Sequence, residues 1–73
     1  MPKRHSSNAV IKVLTRRGFF FVSQKGSHAK YHNTSKPVRT VIVPARRPEI
    51  PIGTFKSIVR QSGLKEEDFS AQI

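Results

Sequence analysis

Seventy-three residues without a cysteine rule out a disulfide frame and a thiolate metal centre, and allow one small domain that buries only about 60% of its surface on folding. Fourteen Lys and Arg against four Asp and Glu give a formal net charge of +10, and residues 1–48 hold no acid at all. A surface field of one sign attracts polyanions, so nucleic acid or an acidic protein is the expected partner. The opening Met-Pro-Lys-Arg-His-Ser-Ser has no apolar signal core, and no later apolar run approaches the ~18 residues that span a bilayer. A cytosolic protein without membrane contact is expected.

Residues 1–5 read as a flexible basic arm. Ser6 or Ser7 can cap a first helix over about residues 7–17, in which Val10, Ile11, Val13 and Leu14 recur at helical spacing. Gly18 supplies its stop, with Phe19 placed to touch Leu14. Lys12 and Arg16 stand at i,i+4 on its outer face, where like charges repel and an anionic partner would relieve them.

Phe19-Phe20-Phe21-Val22 opens a strand running to about Gln24. Three adjacent rings cannot all point one way, so at least one lies off the covered face, where it can stack on a base or pack under a partner. Lys25-Gly26 is a turn signal, and a second strand runs from Ser27 to about His32. Its alternation puts Ala29 and Tyr31 on the core face and His28, Lys30 and His32 on the other. After the polar turn at 33–37, Val38-Arg39-Thr40-Val41-Ile42-Val43 makes a third strand, which Pro44 ends. Connections this short require an antiparallel meander.

The prolines between 44 and 51 keep the next segment irregular. Gly53-Thr54 introduces a second helix, with Thr54 expected as its cap and Phe55, Ile58 and Val59 as its apolar stripe. Lys56 and Arg60 repeat the outward basic pair, and Gly63 stops the helix. Residues 65–69 can add one more helical turn that returns Phe69 to the core. The expected fold is therefore α+β: an α-β-β-β-α order, with two helices covering one face of a three-stranded antiparallel sheet and a short helical tail.

The chemistry narrows onto the turn between the first two strands. Histidine is the side chain whose ordinary pKa permits proton exchange near neutrality, and His28 stands just beyond Gly26-Ser27 in a strongly basic region. His28 and His32 lie about 13 Å apart along a strand, too far to share a metal ion, and no carboxylate neighbours Ser27-His28 to complete a nucleophilic triad. What remains is metal-free and cofactor-free acid–base catalysis by one histidine. RNA suits it, because its 2′-OH is a built-in nucleophile that a neutral imidazole can deprotonate while cations offset the charge gathering on phosphorus. Lys25, Lys30, Arg39 and Arg46 are candidates for that cationic role, or for positioning phosphates, as are Lys12, Arg16, Lys56 and Arg60 on the helices. Gly26 and Ser27 would let the backbone come close to phosphate.

Arg17-Gly18-Phe19, then Gln24-Lys25-Gly26-Ser27-His28, Val43-Pro44, Gly53-Thr54, Ser57-Ile58 and Gln61-Ser62-Gly63-Leu64, in this order, resemble the HicA toxins of bacterial toxin–antitoxin systems. The resemblance implies a double-stranded-RNA-binding-like fold, a metal-independent endoribonuclease that cleaves messenger RNA, and a HicB-type antitoxin that neutralises it. It assigns the catalytic histidine to His28. Arg46 stands where members of that family often carry a second histidine. A non-catalytic RNA-binding module of the same architecture explains the charge and the fold equally well; only His28 and the ordered resemblance separate the two.

Overall fold

The computed structural model describes residues 5–70 and runs α1 (Ser7–Arg16), β1 (Phe20–Lys25), β2 (His28–Asn33), β3 (Arg39–Pro44), α2 (Ile52–Ser62) and α3 (Glu66–Ser70). The strands form one antiparallel sheet in the order β1-β2-β3. The element order and the α+β architecture are as the sequence led us to expect, with each strand displaced by about one residue.

Helix α1 begins where Ser6, in extended conformation, accepts a hydrogen bond from the Ala9 amide at 3.1 Å. Val10, Val13 and Leu14 turn inward, and the chain leaves the helix with the Phe19 amide donating to the Leu14 carbonyl at 2.9 Å. Phe19 is consequently buried while Phe20, one residue on, is 48% exposed. The β1 strand is exposed along its whole length, and its pairing with β2 slips between Phe21 and Ser23, leaving Val22 as a bulge.

The inner face of the sheet contributes Ala29, Tyr31, Val41 and Val43 to a core completed by Val10, Val13, Leu14, Phe19, Ile50, Phe55, Ile58 and Phe69. Both long helices present their apolar stripes to this core, and α2 is set toward the free edge of β3. There the Gln61 side-chain oxygen accepts the Ile42 backbone N–H at 3.0 Å, occupying one of the outward donors of that edge. Arg17 and Asp68 pair at 2.8 Å, tying the end of α1 to α3, and Asp68 also accepts the Lys65 amide at 2.9 Å.

Two expectations need correction. Thr54 does not cap α2: the helix starts three residues earlier than that cap would set it, behind Pro51, whose carbonyl accepts the first helical bond from Phe55 at 2.9 Å. Thr54 is thereby left inside the first turn with its side chain free for other work. The expected basic arm over 1–5 fails at its last residue, since His5 is buried and stacks on Phe55 with ring centroids 4.1 Å apart and nearly parallel planes. Its carbonyl also accepts the Ile50 amide at 2.8 Å. Residues 1–4 lie outside the described part of the chain. No described helix is long and apolar enough to cross a membrane.

Candidate active site

The turn that delivers His28 is built from short local contacts. Gly26 takes a φ of +59°, a conformation that costs glycine little, and its carbonyl accepts from the Gln24 side chain at 3.0 Å. Ser27 is anchored across the sheet, its carbonyl accepting the Ala45 amide at 2.6 Å. His28 then opens β2 directly between Lys25 on β1 and Pro44 on β3. Residues opposite one another in an antiparallel ladder share a face, so Lys25 and His28 stand side by side on the face away from the core. Lys30, two residues along, shares it.

At the β3 side of this outer face lies a cleft of about 450 Å³, lined by His28, Ile42, Pro44, Arg47, Pro51, Gly53, Thr54, Ser57 and Gln61. One wall is sheet and the other is α2. The helix supplies Thr54, Ser57 and Gln61, whose spacing of three and four residues puts them on one stripe. Since the Gln61 carbonyl oxygen is held by Ile42, its amide NH2 group is left as a donor. The cleft thus combines an exposed imidazole, Arg47 and a row of neutral hydrogen-bonding groups. It holds no carboxylate.

Arg47 reaches the cleft because the loop that carries it is fastened to α1. The Ser7 hydroxyl, fully buried, donates to the Pro44 carbonyl and accepts from the Arg47 amide at 2.9 Å, while the Ser7 amide donates to the Arg47 carbonyl at 2.9 Å. Arg46, between them, adopts a φ of +58° and lines a separate recess with Ser6, Asn8, Arg47 and Pro48.

The remaining sequence candidates scatter. Lys25 and Lys30 share the His28 face, and Gly26 and Ser27 form its turn. Arg39 sits at the opposite end of β3, paired with Asn33, and its guanidinium packs against Gly63 at the C-terminal end of α2, where a cation complements the helix dipole. Lys12 and Arg16 are exposed on α1, behind the inner face of the sheet, so they are separated from His28 by the core. Lys56 and Arg60 are exposed on α2 but are not among the residues that line the cleft. Sequence reasoning did not single out Arg47, Thr54, Ser57 and Gln61 as site residues; for the last three, the polar i,i+3,i+7 stripe flanking the apolar one was the available signal. Among the described residues no three His, Cys, Asp or Glu side chains gather as they would around a metal ion.

No curated protein is similar enough to this chain to be matched. A family model does match: residues 7–64, from the start of α1 to just beyond α2, fit the HicA toxin of bacterial toxin–antitoxin systems. The match covers the meander, the histidine turn and the helix that walls the cleft, so the chain belongs to the HicA toxin family, whose members are held in check by an antitoxin.

Proposed function

We propose that this toxin is a metal-independent endoribonuclease acting on messenger RNA, with His28 as its single catalytic histidine. The observation that carries the reading is the position of His28: exposed, and lining a cleft together with Arg47 and the neutral hydrogen-bonding side chains of Thr54, Ser57 and Gln61. Neutral imidazole takes the proton of a ribose 2′-OH as O2′ bonds to the adjacent phosphorus. The phosphorus–O5′ bond then breaks, and the leaving oxygen takes a proton from water. Products are a 2′,3′-cyclic phosphate and a 5′-OH. Arg47, with Lys25 and Lys30 on the same side of the molecule, is the cation set that offsets the phosphorane charge. Thr54, Ser57 and the Gln61 amide supply hydrogen bonds that fix the ribose and phosphate.

Purified His28→Ala protein should keep its fold, because an exposed side chain contributes little packing, and should lose RNA cleavage. Wild-type cleavage should persist in EDTA and leave cyclic phosphate ends by mass spectrometry. Undiminished cleavage by His28→Ala protein, or a chelator block reversed by Mg²⁺, would sink the mechanism. RNA binding without cleavage by the wild type would instead make the protein a non-catalytic module.

The same reading makes the antitoxin a HicB-type protein, acidic at its contact, that covers the His28 face. The +10 charge favours such a partner.

A further inference from the structure

Phe20 is unexplained by the core and by the cleft. It lies on β1 directly opposite His32, and the two rings meet edge to face with centroids 6.4 Å apart. His32 is in turn opposite Thr40 on β3, and its Nδ1 is hydrogen-bonded to the Thr40 Oγ1 at 2.9 Å, which fixes the imidazole plane. The Phe20 ring is therefore braced from the side by its cross-strand neighbour while remaining 48% exposed. This pair sits on the outer face, the same face as His28, with Lys30 between them on β2 and Ser23 and Ile42 flanking Lys30.

From this placement we infer that Phe20, braced by His32, is a stacking platform for one unpaired base of the RNA strand engaged at His28, an inference that rests on the ribonuclease reading above. Three features converge on it. The outer face is an aromatic-plus-cation track: His28, Lys30 and His32 run along β2, Lys25 stands at one end and Phe20 at the other, and none of the three strands contains a carboxylate. Such a combination suits single-stranded nucleic acid, which offers phosphates to the lysines and a π-face to the ring. The distance from His28 to His32, four residues of strand or about 13 Å, is one that an extended strand covers in about two or three nucleotides. A duplex would keep its bases stacked on one another and away from the ring, so the platform selects substrate that is unpaired on that side of the scissile phosphate. The neighbouring Phe21 is not part of the track: it leans on Tyr31, on the inner-face side of the sheet.

The test uses full-length protein and short 2′-O-methyl oligonucleotides, which bind but offer no 2′-OH, so binding is read without cleavage. Phe20→Ala should weaken binding on the order of tenfold, and Phe20→Trp should restore it. An abasic site moved along the oligonucleotide should reproduce the loss at one position only, and Phe20→Ala should be insensitive to an abasic site at that position. Wild-type affinity in Phe20→Ala protein overturns the inference, as does a loss of antitoxin binding with RNA binding intact, which would make the ring a protein contact. Because no cleavage is measured, failure of His28→Ala to abolish activity would overturn the ribonuclease reading by itself and leave these binding data to be judged separately.

Discussion

Replacing Ser7 by alanine removes the hydroxyl that joins α1 to the loop carrying Arg47. Two hydrogen bonds go at once, to the Pro44 carbonyl and from the Arg47 amide. Ser7 is 1% exposed and Pro44 half-buried, so water can restore little of what is lost at the carbonyl. At about 1 kcal/mol for each net hydrogen bond, with a further penalty for the stranded carbonyl, the loss is about 2–3 kcal/mol. Alanine's better helix propensity at the first turn returns about 0.5 kcal/mol. The net change is then about 2 kcal/mol, a large share of the ~4–11 kcal/mol available to a domain of this size. Urea unfolding followed by circular dichroism, in a His28→Ala background, should show the midpoint falling by about 2 M at an m-value near 1 kcal/mol/M. Hydrogen exchange at the Arg47 amide should accelerate as well. A midpoint shift below about 0.5 M would show that the hydroxyl is dispensable and that some other contact fixes the loop.

Gly63→Ala should destabilise by more than 1 kcal/mol and Gly26→Ala by less, as measured by thermal melts. Both positions have positive φ, but a Cβ at Gly63 would also strike the Arg39 guanidinium whereas the space at Gly26 is open. Burial raises the Tyr31 pKa above the ordinary 10, so between the two values the native state holds a proton that the unfolded chain has released; stability should fall as pH rises through about 10, and Tyr31→Phe should flatten that fall in pH-dependent urea titrations. Binding of the antitoxin, proposed to be acidic at its contact, should slow with added salt in stopped-flow measurements and should protect residues 25–32 from hydrogen exchange; protection confined to the helices would place the contact elsewhere.

The sheet was readable because its alternation is strict where it matters. In β2 the order His, Ala, Lys, Tyr, His separates the two faces by itself, and the structure buries only the Ala and Tyr of that run. The helix stripes were equally plain. Less of the site could be read, for a physical reason at each residue. Thr54 has the chemistry of a cap, and only the conformation of Pro51 takes that role from it. Arg46 and Arg47 are adjacent and chemically identical; which one enters the cleft depends on the Ser7 contacts forty residues away, a distance over which sequence pattern carries no information. Arg39 lies on the strand that borders the cleft but at the end far from His28, and only the register shows that.

The seal that Gln61 places on Ile42 has a bearing on self-association. With α2 lying against β3 and Gln61 occupying the Ile42 donor, β1 is the less obstructed side for growth by strand addition. The more fully the second edge is obstructed, the more edge-to-edge pairing favours two copies over a fibre. Bulge and charge weaken even that first step: Val22 interrupts the β1 ladder, and two chains of +10 repel.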